Sequence, residues 1–213
     1  MKDRKTVRIL RASRPETVKK YHSGNALKNW LLQNYFHELL ELAGKTGAKT
    51  IFEIGCGEGQ VAAVLMDEGY MVRGCDIDAQ DVKTARESIR EALGVDVDDR
   101  FRAESVYDLD PGRDGAELVV CCEVLEHLEQ PEKALGIIAG LANPYFIISV
   151  PREPLWCISN VCMLRNLKTF GNTPGHINHW SKGGLVKLAS RFGQVQEVRA
   201  PFPFTMLLCR TRD

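Results

Sequence analysis

The stretch "IFEIGCGEGQ", Ile51 to Gln60, sets Gly55, Gly57 and Gly59 at alternate positions, with Glu53 ahead of them and Glu58 among them. A glycine loop after an apolar strand lets backbone N–H groups approach a ligand closely, and most such loops hold a phosphate. This one is built against a phosphate. The dinucleotide fingerprint GxGxxG needs a glycine at position 60, where the chain has Gln60. Glu58 would also set a negative charge beside a pyrophosphate. No Gly-Lys-Ser/Thr follows, which excludes a nucleoside-triphosphate loop. The residue types suit a ligand with a cationic centre, an amine and a nucleoside.

A second group of chemical residues lies downstream. "EVLEH" places Glu123, Glu126 and His127 at i, i+3 and i+4, one shared face if the segment is helical. "GHINHW" adds His176 and His179. Carboxylates and imidazoles can take a proton from a hydroxyl or hold a divalent ion.

Short apolar runs alternating with helical patterns must position these residues. A first helix is predicted from Ala26 to Ala43, with Gly44 as its stop. Strands are predicted at Lys49–Gly55, Tyr70–Asp76, Arg100–Ser105, Ala116–Cys122 and Tyr145–Pro151. Helices between them end at Gly69, at Gly94 and near Asn143, the last opened by Pro131. Asp78 and Asp81 read as the cap and dipole partner of the second of these helices. Residues 152–180 read as irregular, with Pro154, Gly171, Pro174 and Gly175. Ser181 caps a further helix. Two last strands, Gln194–Ala200 and Phe204–Arg210, are separated only by "PFP". Three residues cannot carry a parallel crossover, so this pair is antiparallel. The sum is an α/β chain: a doubly wound, mostly parallel seven-stranded sheet with a C-terminal antiparallel hairpin.

The 213 residues suit one domain, residues 1–213, rather than two. No apolar run approaches the roughly 18–20 residues of a membrane helix, and the N-terminus lacks the apolar core of a secretory signal. The seven cysteines form no CxxC pair and several sit in apolar runs such as "LVVCCEV". Free thiols in a reducing cytoplasm are the expectation, rather than a disulfide frame or a zinc site. Net charge is zero, but residues 1–20 hold eight Lys/Arg against two Asp/Glu. Residues 1–25 therefore read as a basic arm, either a solvated tail or a contact for nucleic acid.

S-adenosyl-L-methionine (SAM) has the ligand chemistry deduced above. At this point the sequence resembles the class I SAM-dependent methyltransferases, whose first motif [DE]xGxGxG is matched by Glu53, Gly55, Gly57 and Gly59. The resemblance covers roughly residues 49–151 and adds "GCDID" and "CCEVLEHLEQPEKAL" at two strand ends. It implies that Gly55, Cys56, Gly57 and Gly59 let the backbone approach the methionine part, and that Glu53 accepts from its ammonium. It implies that Asp76 accepts both ribose hydroxyls and that Ile77 neighbours the adenine. Members often bind the adenine amine with an acid after the third strand. Here the position falls on Ser105, or on Glu104 if shifted by one, with the Val106 backbone as a further contact. Cys122 and Glu123 line the methionine side.

Methyl transfer from SAM is an in-line displacement dominated by positioning. A hydroxyl acceptor also needs a proton removed, by a base or a metal. The Glu123-x-x-Glu126-His127 pattern resembles the metal site of two subgroups, the ubiquinone-pathway O-methyltransferases and the small-RNA 2′-O-methyltransferases. His127 stays open as base, acceptor-orienting group or metal ligand, and His176 or His179 is the downstream candidate. The expected acceptor is a small molecule, with RNA as the alternative. A SAM binder without turnover is a further alternative. The acceptor pocket is expected from the first helix and residues 152–180, with Trp30, Tyr35, Trp156, Phe170 and Trp180 as walls.

Overall fold

The computed structural model of the chain describes residues 26–162 and 172–212. The basic arm and Phe170 lie outside them. Seven strands form one sheet in the order β3-β2-β1-β4-β5-β7-β6. They are β1 (Thr50–Ile54), β2 (Met71–Asp76), β3 (Phe101–Ala103), β4 (Ala116–Cys122), β5 (Ala142–Pro151), β6 (Gly193–Arg199) and β7 (Phe204–Thr211). The pairs among β1 to β5 are parallel. β7 runs antiparallel to both β5 and β6, as the short connection requires.

The central strands are apolar on both faces because helices cover both. Successive residues of β1 divide between two cores: Ile51 packs with α1 (Ala26–Thr46), α2 (Gln60–Asp67) and α3 (Ala79–Leu93), and Phe52 with α5 (Pro131–Leu141) and α7 (Lys182–Ala189). Phe36, Leu39, Leu65 and Ile89 fill the first core, and Leu125, Leu135, Phe146 and Leu185 the second. Each fully buried side chain of this size stabilises by about 1.5–3 kcal/mol. Helix α4 (Pro111–Asp114) closes the β2–β3 side, where Arg73 and Arg102 lie over the Phe52 ring, 5.6 and 5.5 Å from its centroid.

Three boundaries differ from the sequence expectation. Helix α1 passes Gly44 and ends at Thr46, just before Gly47, whose φ of 69° supplies the left-handed stop. There the Thr46 hydroxyl donates to the Ala43 carbonyl at 2.7 Å, closing the last turn. Strand β3 is shorter than Arg100–Ser105, because Ser105 leaves the ladder to cap a 3₁₀ turn over Val106–Asp108. The stretch 152–180 contains a helix, α6 (Leu155–Cys162), which Pro154 precedes and which carries no acidic residue in its first turn to announce it. Asp78 and Ser181 cap α3 and α7 as expected, accepting from Gln80 and Gly184 amides.

Candidate active site

The glycine loop sits where β1 ends, against the end of β2. The amides of Gly55 and Cys56 both donate to the Cys75 carbonyl, at 2.8 and 3.0 Å. Gly55, Gly57 and Gly59 all have positive φ, at 75°, 48° and 86°. Two are also closely packed: a Cβ on Gly55 would lie 2.2 Å from Val124 Cγ2, and one on Gly59 would lie 3.0 Å from Ala85 Cα. Glycine is thus required by both torsion and space. Cys56 is buried beneath the loop, and burial pushes its thiol up, with the Glu53 and Asp76 charges adding to the effect. Glu58 accepts from the Gln60 side chain at 3.1 Å, so the charge within the loop is engaged by the residue that replaces the dinucleotide glycine.

Three carboxylates surround this loop. Glu53 is 2% exposed, and its Oε2 is buried without a hydrogen-bond partner. Burial raises its pKa well above the carboxylate range, the Asp76 charge raises it further, and the Ala62 amide pulls the other way. An orphaned carboxylate oxygen at a strand end suits a cationic ligand group, since burying it unpaired is unfavourable. Asp76, at the end of β2, accepts from the Gly57 amide at 2.8 Å and from the Asp78 amide at 3.0 Å. Ile77 beside it is 78% exposed, an apolar surface open to a planar partner. Glu123, at the end of β4, is held at φ 60°, its amide donating to the Ser149 carbonyl at 3.0 Å.

The residues expected on the adenine side have partners within the chain. Glu104 is taken up by Arg102 and Arg113, each at 2.6 Å, and Ser105 Oγ accepts the Tyr107 amide. Val106 is buried at the head of the 3₁₀ turn. Cys122 is buried beside Tyr35 and Ser149, and burial pushes its thiol up to about 12.

The downstream group assembles differently from its spacing. Only Leu125–His127 forms a turn, of 3₁₀ type. Glu123 accepts from Ser149 Oγ at 2.7 Å. Instead Glu126, His127 and His176 each offer a ligand atom, all within 4.8 Å of one another. Residues 172–180 bring His176 there by main-chain hydrogen bonds: the amides of Ile177 and Asn178 both donate to the Glu126 carbonyl, at 2.9 and 3.1 Å. Asn178 Nδ2 also donates to the carbonyls of Leu125 and Leu128. His127 Nδ1 lies 2.9 Å from the Gly175 carbonyl. A carbonyl only accepts, so Nδ1 carries the proton and Nε2 presents its lone pair. His179 stands apart, 3.4 Å from Glu153.

The aromatic walls divide. Trp156 stacks on His176 at 5.8 Å and contacts Phe204 at 5.5 Å. Trp180 packs into the second core, and Trp30 is 58% exposed. Tyr35 is buried rather than lining a cleft, in edge contact with Phe204 at 5.1 Å. Its partner Ser149 was not singled out in the sequence, although a lone hydroxyl in the apolar run "FIISVP" signals a buried polar contact.

A glycine loop between strand-end carboxylates, on a 3-2-1-4-5-7-6 sheet, is the arrangement of a class I methyltransferase. The methyltransferase-domain family matches residues 11–195, and the chain belongs to that family. It is 33% identical over 118 residues to the ubiquinone biosynthesis O-methyltransferase of Bordetella parapertussis, a match covering 54% of this chain and 48% of that protein. The chain spans about half the length of the curated relatives it matches. Magnesium protoporphyrin IX methyltransferase from Synechocystis PCC 6803 with bound S-adenosylhomocysteine (SAH) shares the fold, with a TM-score of 0.67 at 18% identity. That match covers 90% of this chain and 91% of the other. A small RNA methyltransferase shares it at TM-score 0.64 and 18% identity, over 83% of this chain and 25% of that one. Among the described residues no helix is long and apolar enough to cross a membrane.

Proposed function

We propose that this chain transfers the methyl group of SAM to an oxygen of a small-molecule acceptor. The observation that carries the reading is the convergence of Glu126, His127 and His176 past the end of β4. Glu53 and Asp76 bind the ammonium and the ribose of SAM, Ile77 covers the adenine, and Cys122 and Glu123 border the methionine end. The nucleoside then lies over β2 and the methyl group faces the histidines. Residues 49–151 hold the cofactor and residues 152–180 cover the acceptor. The ubiquinone-pathway relatives favour an oxygen acceptor, and the free thiols suit a cytoplasmic setting.

One carboxylate and two imidazoles form a donor set that suits a divalent transition ion. A bound ion would lower the pKa of an acceptor hydroxyl. His127 Nε2 and His176 are the imidazole donors, and the Gly175 carbonyl fixes the His127 tautomer. Without an ion, the same Nε2 lone pair takes the hydroxyl proton as a general base. Trp156 backs His176 and keeps its ring in place. A second reading, methylation of an RNA ribose, draws on the same cluster, because the downstream histidine is a feature of the small-RNA subgroup that the sequence resembles.

The test is SAH formation from SAM with a panel of phenols, hydroxy acids and a short RNA, with and without added Mn²⁺ or Mg²⁺. Turnover on a small hydroxyl compound supports the proposal. Turnover on RNA alone selects the second reading, and SAM binding without SAH on any acceptor refutes both.

A further inference from the structure

A line of hydroxyls runs from α1 through the sheet to the end of β4. Tyr35 Oη lies 2.7 Å from Ser149 Oγ, and Ser149 Oγ donates to Glu123 Oε1 at 2.7 Å. Tyr35 and Ser149 are buried, at 5% and 0% exposure. The direction of this line follows from proton counting. A carboxylate only accepts, so the single Ser149 proton is committed to Glu123, and Tyr35 must donate to Ser149. The donors therefore run in series, Tyr35 to Ser149 and Ser149 to the carboxylate, and the last bond, to a charged acceptor, is of the stronger kind.

The same residue is fixed twice more. Glu123 is the described non-glycine residue with positive φ, and its amide is bound to the Ser149 carbonyl. A left-handed non-glycine residue persists only where its surroundings impose it. Its neighbour Val124 packs against Gly55, so the Glu123 backbone borders the seam between the glycine loop and β4.

We propose that Tyr35 and Ser149 are positioning residues that aim Glu123 at the sulfonium of SAM, so that the charged cofactor is held in preference to the neutral-sulfur product SAH. The inference rests on the reading that the loop takes SAM. Methyl transfer removes the sulfonium charge, so a carboxylate fixed there weakens its hold as the product forms. Tyr35 matters through its hydroxyl, not through its ring.

Calorimetric titration of the full chain with SAM and with SAH tests this, with melting temperature as the check on folding. Glu123→Gln is expected to lower the preference for SAM over SAH by about tenfold, the scale of one partly desolvated charge contact. Tyr35→Phe and Ser149→Ala are expected to lower it in the same direction. Tyr35→Phe in the Glu123→Gln background is expected to add nothing, which a packing defect would not reproduce. Glu123→Gln, on a half-buried side chain, reads the same ratio if either buried variant fails to fold. An unchanged ratio in Glu123→Gln overturns the inference, as does equal weakening of SAM and SAH, which would place the carboxylate on the ammonium. An altered ratio in Glu123→Gln with none in Tyr35→Phe and Ser149→Ala overturns the positioning role. A native chain that binds no SAM overturns both this inference and the reading beneath it.

Discussion

The amide of Gly57 donates to Asp76 Oδ2 at 2.8 Å, so the carboxylate at the end of β2 also shapes the glycine loop. On the proposed reading Asp76 would act on SAM in two ways, by accepting from it and by holding the loop beside it. Asp76→Ala removes both effects and is expected to weaken SAM binding about a hundredfold, the scale of two charge-assisted hydrogen bonds. Asp76→Asn keeps one acceptor oxygen and is expected to fall between. Isothermal titration of the three proteins checks the order.

On the proposed reading Glu53 is expected to give SAM binding a pH dependence. Its folded pKa is raised by burial and by Asp76, so the folded chain keeps a proton that the unfolded chain loses near pH ~4.3. Folding stability therefore falls as pH climbs from about 4.3 toward the raised value, and levels off above it. A cationic ligand favours the carboxylate and expels the proton. SAM affinity is expected to rise with pH across that window, with net proton release on binding. Titrations in buffers of different ionisation enthalpy measure the release, and Glu53→Gln should abolish it.

Gly55→Ala pushes a methyl into Val124 and holds a left-handed torsion without glycine. It is expected to cost about 1–3 kcal/mol of stability and to impair SAM binding. Val124→Ala in the same chain clears the steric overlap but not the torsional strain. Partial recovery of the melting temperature is the expected result, and no recovery would mean that torsion alone decides this position.

The histidine cluster makes a prediction about metals. His176→Ala and Glu126→Gln are each expected to reduce Mn²⁺ affinity at least tenfold, the scale on which ligand shells are tuned. His179→Ala, outside the cluster, is expected to leave it unchanged. Electron paramagnetic resonance of titrated Mn²⁺ reads this without any acceptor. If all three variants bind the ion like the native chain, the cluster is not its site.

The sheet was legible in the sequence because parallel core strands are runs of apolar residues bounded by glycine and charge, and Ala116–Cys122 matches β4 to the residue. The placement of the glycine loop was legible for the same local reason, since glycine spacing and strand-end acids are written in adjacent positions. The acceptor side was less so. Spacing put Glu123, Glu126 and His127 on one helical face, yet a contact 26 residues away, from Ser149, holds Glu123 in a backbone state that glutamate does not select on its own. "GHINHW" offered two equivalent histidines, and the main-chain bonds to the Glu126 carbonyl chose His176. Glu104, the shifted alternative on the adenine side, is paired with Arg102, two residues before it, and with Arg113, nine residues after it. For Glu123 and His176 the deciding partner is remote in sequence.

The attachment of residues 176–178 to the turn at Leu125–Leu128 has an evolutionary consequence. Its anchors are carbonyl oxygens, which every amino acid supplies. Exposed neighbours such as Ile177 and His179 can therefore be exchanged freely while His176 keeps its address. A lineage could retune which compounds are admitted without dismantling the machinery that acts on them.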